Sequence, residues 1–377
     1  MRANLDRSGF TPRSRPRNGN GGAHHQGEIL ITGGAGFIGS NLADRLLREG
    51  RGVLLFDNLS RAGVRRNLEW LLGNHPRRLQ VIVADVRDAG AVRTAVRRSS
   101  AVFHFAAQVA VTTSLSEPLE DFQINAGGTL NVLEALRGMD CAPPLVFTST
   151  NKVYGGLDDL MLFESATRYR PSGNGLESGG IHERRPLDFR SAYGCSKGAA
   201  DQYVIDYSRT FGLRTVVLRM SCIYGPHQCG TEDQGWVSHV IGSFVEGRPF
   251  TVYGNGKQVR DLLYIDDLLE ALLLSLENAD RLAGQSFNIG GGPANTASLI
   301  ELLELVANLS GKHPELRFAP WRPGDQKYYV SDTAKFSAAT GWRARVDVRS
   351  GVDRVYRWLK HRPPYGAMSQ SSSPATH

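Results

Sequence analysis

The chain has 377 residues, 41% of them hydrophobic and 21% charged, with a formal net charge of +7. That balance fits an ordinary globular protein with room for one large α/β unit or two lobes. No apolar run approaches the roughly 20 residues that span a bilayer, so no membrane partner is expected. The basic excess does not argue for nucleic acid, because the first 20 residues hold five arginines against one aspartate, a net of +4. The mildly basic remainder suits a doubly charged anionic substrate. Residues 1–27 are rich in Arg, Pro, Gly and Asn and lack a signal-peptide core, so they read as a disordered tail. Residues 363–377, opening on Pro363-Pro364, read as a second one. The four cysteines, Cys141, Cys195, Cys222 and Cys229, lack metal-ligand spacing, so no metal is expected and the thiols point to a reducing cytoplasm.

Strands are predicted at 28–32, 53–56, 79–84, 101–105, 145–148 and 215–220. Helical patterns stand between them, at Ser40 to Glu49, Glu120 to Arg137 and Tyr193 to Phe211. Apolar strands alternating with helices imply an α/β fold with a Rossmann-like, doubly wound parallel sheet. Residues 28–223 are assigned to that domain, with a long loop inserted at 156–190 that has no clear period. Residues 224–362 are assigned mainly to a smaller C-terminal substrate-binding lobe, with about 263–293 returning to the first domain.

Thr32-Gly33-Gly34-Ala35-Gly36-Phe37-Ile38-Gly39 follows a strand and opens a helix, the context of a dinucleotide fingerprint. Its glycines let the backbone approach a pyrophosphate at the helix N-terminus. Asp57 ends the second strand, where a carboxylate accepts hydrogen bonds from the adenosine ribose, with Asn58 beside it. A carboxylate there would repel a 2′-phosphate, which favours NAD over NADP. Asp85 and Val86, past the third strand, are placed against the adenine.

Tyr193 and Lys197 stand one helical turn apart and share a face. An ammonium and a positive nicotinamide ring would favour the phenolate over a phenol of reference pKa about 10. Tyr193 is then a usable base, and Lys197 can also hold the nicotinamide ribose. Thr148-Ser149-Thr150 ends the fifth strand at the sheet edge where ligands bind, and a hydroxyl there can bridge substrate and tyrosine.

Together these motifs make the chain resemble an extended short-chain dehydrogenase/reductase of the NAD-dependent sugar epimerase/dehydratase family, from about Glu28 to Lys360. His104-Phe105-Ala106-Ala107-Gln108, Asn125-Ala126-Gly127-Gly128-Thr129, Val153-Tyr154-Gly155 and Arg260-Asp261 carry the likeness further. The resemblance implies that Thr150 is the catalytic hydroxyl. It adds Ala106, Ala107, Gln108 and Asn125 to the cofactor-binding set of Gly33, Gly36, Phe37, Ile38, Gly39, Asp57, Asn58, Asp85, Val86, Tyr193 and Lys197, with Asn125 steadying the active-site helix. Arg260 and Arg322 resemble the arginines that bind a nucleotide-sugar diphosphate, and Asn151 and Cys222 fall in the substrate set. Relatives pair through helices matching 120–137 and 193–211, so a homodimer or homotetramer is expected.

The dehydratases of the family carry Asp-Glu directly after the catalytic Thr; here those positions are Asn151 and Lys152. Asparagine cannot act as the acid, and lysine substitutes poorly for the base. Ser149 to Gly155, Tyr193 to Tyr203, Arg219 to Pro226 and Thr231 to Trp236 resemble the branch that epimerises CDP-linked paratose or tyvelose at C2. The expected activity is therefore an NAD-dependent nucleotide-sugar 2-epimerase. The alternatives are a UDP-hexose 4-epimerase and a nucleotide-sensing protein on an inactive dehydrogenase scaffold.

Overall fold

The computed structural model describes residues 27–172, 179–322 and 324–361. Both expected tails, Gly27 aside, lie outside the described residues. Helices and strands alternate at first: β1 (Glu28–Thr32), α1 (Phe37–Arg48), β2 (Val53–Asp57), α2 (Val64–Asn74), β3 (Leu79–Val83), α3 (Ala89–Arg97) and β4 (Ser99–His104). α1 begins three residues before the expected Ser40, because Gly36 can serve as its N-cap. Next come α4 (Val111–Ser116), α5 (Pro118–Phe122) and α6 (Gly128–Arg137). The helix expected over 120–137 is continuous from Pro118 to Arg137, but a π-helical turn at Gln123–Gly127 interrupts its α-helical period between α5 and α6. Such turns add a residue to the helical ring and often mark functional sites; this one carries Asn125.

β5 (Leu145–Thr150) leads into the inserted segment, which holds a hairpin of β6 (Leu162–Glu164) and β7 (Tyr169–Pro171). Three-residue strands are too short to show a period, so the sequence reads as loop. The hairpin is pinned from outside: Arg168 Nε donates to Glu301 Oε1 at 2.7 Å and Lys257 pairs with Glu164 at 2.8 Å. α7 (Ser191–Phe211), β8 (Thr215–Met220), β9 (Cys222–Tyr224), α8 (Trp236–Glu246), β10 (Phe250–Tyr253), β11 (Val259–Tyr264), α9 (Ile265–Glu277), α10 (Ala279–Leu282) and β12 (Gln285–Ile289) follow. β13 (Thr296–Ser298), α11 (Leu299–Ser310), β14 (Leu316–Ala319), β15 (Tyr328–Tyr329), α12 (Ala334–Thr340) and α13 (Val348–Lys360) complete the order.

The main sheet is parallel, in the order β12-β8-β5-β4-β1-β2-β3. This is a Rossmann-like α/β fold. β12 joins it from far along the chain, beside β8. Both faces are covered: one core gathers Ile29, Ile31, Leu42, Leu46, Leu268 and Leu272, and the other gathers Leu30, Leu54, Val132, Leu136, Val204 and Val217. Alternate residues of β1 serve opposite cores, so its run is unbroken rather than half-polar. Strand order reverses between β1 and β4, which opens a crevice at their C-terminal ends. Facing it are two smaller groups of strands, the parallel pair β10 and β14, and β11 flanked by β9, β13 and β15.

A buried ion pair stiffens the junction. Arg219 of β8 grips Asp201 of α7 through two bonds of 2.8 and 2.9 Å, and its Nη1 also donates to Tyr154 Oη at 3.1 Å. Bidentate geometry and full pairing offset the cost of burying both charges.

Candidate active site

A cavity of about 780 Å³ runs from the β1–β4 crevice to the smaller strands. At one end the turn after β1 makes its floor. Gly33 has φ +65°, and a Cβ there would lie 2.7 Å from the backbone nitrogen of Ala106; a Cβ on Gly39 would lie 2.5 Å from Gly33 O. Only glycines let the turn, α1 and the β4 end pack this closely. No side chain caps α1 and its first turn holds no acidic residue, so its amide end is left to an anion such as a dinucleotide pyrophosphate.

Asp57 is buried at the end of β2, accepting from Ala35 N at 3.0 Å and Leu59 N at 2.8 Å. Burial pushes its carboxyl up, and these two amides pull it back down. With its oxygens oriented by backbone, it keeps lone pairs able to accept from a diol in the cavity. Asp85 is engaged differently. Arg87 holds it from one side and Asn58 Nδ2 donates to it at 2.9 Å, so its carboxyl is held at about 2, chiefly by Arg87. The Gly-rich turn, Asp57, Asn58, Asp85, Val86 and Ala106 to Gln108 all line the cavity. These features fit a dinucleotide: a crowded glycine floor, an open helix N-terminus and an oriented carboxylate.

Three residues known from sequence only as motif members hold this wall together. His104 Nδ1 lies 2.6 Å from Thr32 Oγ1, and its Nε2 lies 3.0 Å from Thr129 Oγ1. Thr129 donates its own proton to Asn125 O, so the imidazole donates through Nε2 and accepts at Nδ1. Burial lowers its pKa to about 3, so it is neutral. Thr32 Oγ1 then accepts from Phe105 N and Ala106 N at 3.2 Å each, fixing the end of β4.

Asn125 stands behind the wall rather than in the cavity. Its Oδ1 accepts from Gln108 N at 2.9 Å, and its Nδ2 donates to Asp121 Oδ1 at 3.1 Å and Ser196 Oγ at 3.0 Å. Ser196 also donates to Asp121. The cluster joins the π-turn to α7, so Asn125 steadies the helix and reaches the cofactor space only through Gln108. Asp121 stands four residues before Asn125, and that spacing is the signal that could have found it.

Thr150, Tyr193 and Lys197 come together at the centre. Tyr193 is 8% exposed, and burial pushes its phenol up to about 12; a hydrogen bond with Thr150 and the charge of Arg61 pull it down. Lys197 Nζ donates to Thr148 O at 2.7 Å and sits 4.2 Å above the Phe147 ring. Burial lowers its pKa to about 7, with Asp201 and Asp121 pulling upward. Arg61 faces both Tyr193 and Asp57 and donates to Gln234.

At the far end, Asn151, Cys222, Arg260 and Arg322 line the cavity. The Thr150 hydroxyl lies 3.3 Å from Asn151 Oδ1. Trp236 Nε1 donates to the Cys222 thiol at 3.3 Å, and burial pushes that thiol up, so it is not a nucleophile. Arg322 stacks 3.5 Å from the Tyr253 ring centroid and donates to Glu232 O at 2.7 Å. Among the described residues no cluster of His, Cys, Asp or Glu could hold a metal, and no helix is long and apolar enough to cross a membrane.

Residues 29–290 match the model of the NAD dependent epimerase/dehydratase family. The chain is 43% identical over 344 residues to CDP-paratose 2-epimerase of Salmonella typhi, covering 88% of this chain and 98% of that protein. It is 30% identical over 357 residues to dTDP-glucose 4,6-dehydratase 1 of Escherichia coli, covering 88% and 92%. Its fold is similar to that of UDP-glucose 4-epimerase from Thermus thermophilus in complex with NAD, with a TM-score of 0.75, 33% identity, and 89% and 99% of the two chains covered.

Proposed function

This chain belongs to the NAD dependent epimerase/dehydratase family, and we propose that within it the protein is a nucleotide-sugar epimerase that inverts C2 of a CDP-paratose-type substrate. The observation that carries this is the pairing of an intact Thr150/Tyr193/Lys197 centre with Asn151 and Lys152 in place of a dehydratase's acid and base. The 43% identity to a CDP-paratose 2-epimerase supports the same branch.

The Gly33–Gly39 turn, Asp57 and the Ala106–Gln108 edge would hold NAD, which supplies the hydride acceptor and donor and a positive ring. The chain's own groups move the proton. Tyr193 Oη takes it from the C2 hydroxyl, with Thr150 Oγ1 as the bridge to which the phenol is already hydrogen-bonded. Arg61 favours the phenolate that does so. The C2–H bond breaks as the carbonyl forms. After the keto sugar turns over, Tyr193 returns its proton as hydride re-adds to the opposite face. The two residues that follow Thr150 supply no base to draw a proton from the neighbouring carbon: Asn151 is neutral, and Lys152, lowered to about 8 chiefly by burial, still holds its proton at neutral pH. The keto sugar is thereby spared elimination.

Incubation with CDP-paratose, followed by NMR, should show inversion at C2 and retention of a C2 deuterium. The likeness to a UDP-glucose 4-epimerase supports a second reading, C4 inversion of a UDP-hexose. Loss of configuration at C4 of UDP-glucose, with CDP-paratose untouched, decides for it. A protein that only senses nucleotides would bind both and convert neither.

A further inference from the structure

Lys152 is a cation that the proposed proton transfer leaves without a task. A single 3-10 turn, Asn151–Tyr154, starts at Thr150, whose Oγ1 accepts from Lys152 N at 3.2 Å. This turn sets the Lys152 backbone on Thr150 and brings the residue to the wall of the cavity that Thr150 also lines. There Nζ donates to Gly324 O at 2.9 Å. An ammonium has three N–H donors, and the other two meet no acceptor among the described residues. Facing it are Arg260, Asp325 and the Cys222 thiol.

Arg260 is 9% exposed; its guanidinium donates to Val259 O at 2.8 Å and makes no ion pair among the described residues. A buried guanidinium without a counter-ion is costly, and a second cation facing it raises the cost. Asp325 supplies one negative charge against two positive ones. The shortfall, together with the unused N–H donors, is what a bound phosphate would supply.

We infer that Lys152 adds a second cation to Arg260, already expected at the substrate diphosphate, to seat the phosphate that carries the sugar, and that Lys152 thereby selects the sugar carbon that meets Tyr193. The inference rests on the nucleotide-sugar reading above. In a pyranose C2 is bonded to C1, which carries the phosphate, whereas C4 lies across the ring. A phosphate seated close to the catalytic hydroxyl brings C2 to the phenol. A phosphate held farther away would bring C4.

The test compares wild type with Lys152→Met and Lys152→Arg, using calorimetric titration with CDP and with CMP. CDP carries the sugar-bearing phosphate and CMP lacks it. Lys152→Met should weaken CDP about tenfold while leaving CMP unchanged within about twofold, and Lys152→Arg should regain most of the loss. Unchanged CDP affinity, or equal loss for CDP and CMP, overturns the seat. For epimerisation by Lys152→Met, kcat/KM should fall further than CDP affinity, because a displaced phosphate also displaces C2. A fall no greater than the loss of CDP affinity overturns the selection of carbon. If Lys152→Met does not fold, Lys152→Gln takes its place. Should wild type bind UDP and not CDP, or bind CDP without inverting C2, the epimerase reading fails, while the UDP/UMP or CDP/CMP comparison still judges the seat.

Discussion

The two ends of the cavity are built by opposite strategies. The cofactor end draws mainly on one early stretch of chain, β1 to β4, whose strand ends and tight turns set the geometry, with the side chains of Thr32, His104, Asn125 and Thr129 bracing it from behind. The substrate end gathers Asn151, Cys222, Arg260 and Arg322 from separate elements and holds them by side-chain contacts. Backbone geometry is strict and tolerates little change. Side-chain geometry can be altered one contact at a time, which lets one scaffold serve different sugars.

That contrast can be broken by experiment. The largest effect is expected at the meeting point: Tyr193→Phe should cut turnover by about 10³-fold while NAD still co-purifies, seen in the nucleotides released on denaturation. Loss of NAD as well would mean the ends are not separable there. Next, Gly33→Ala should cost about 3 kcal/mol, because φ is +65° and its Cβ meets the Ala106 backbone. Chemical denaturation would show it, and the variant should purify without NAD. Arg260→Leu should raise KM roughly 30-fold with NAD content unchanged, since it removes a charged donor from the substrate end alone.

A smaller effect concerns pH. Tyr193 acts as base only when deprotonated, so turnover should rise as pH rises. Thr150 lowers the phenol's pKa, so in Thr150→Val the rising limb should move to higher pH by about one unit. A limb unmoved or moved to lower pH would remove Tyr193 as the titrating base. Smallest, Arg168→Ala should cost about 1 kcal/mol in thermal unfolding, since Arg168 ties the β6–β7 hairpin to Glu301 of α11. A change in KM as well would bring the hairpin into the substrate end.

The two ends also differ in how far they were legible in sequence. The Gly-rich turn, Asp57 and the strands around them follow from local pattern, because a strand, a tight turn and a helix are neighbours in the chain. Tyr193 and Lys197 were found as one turn of one helix, with Thr150 as the tyrosine's expected partner. Arg61 beside the phenol and Thr148 O on the lysine were not found, because they belong to distant stretches. Asn125 was expected to steady the active-site helix, which its bond to Ser196 of α7 fits, but it was also placed among cofactor residues and stands behind them, in a π-helical turn that leaves no sequence period. The β6–β7 hairpin escaped notice because its strands are three residues each and its anchors are remote.

From sequence alone came the parallel α/β sheet, the dinucleotide turn, the preference for a ribose diol over a 2′-phosphate, and the residues able to exchange a proton with an alcohol. These are set by chain neighbours and by side-chain chemistry. Only the tertiary structure decided which groups face one another: Arg61 on Tyr193, His104 between two threonines, Lys152 opposite Arg260. Charge and burial act through space, so a group's electrostatic surroundings exist only once distant segments have packed.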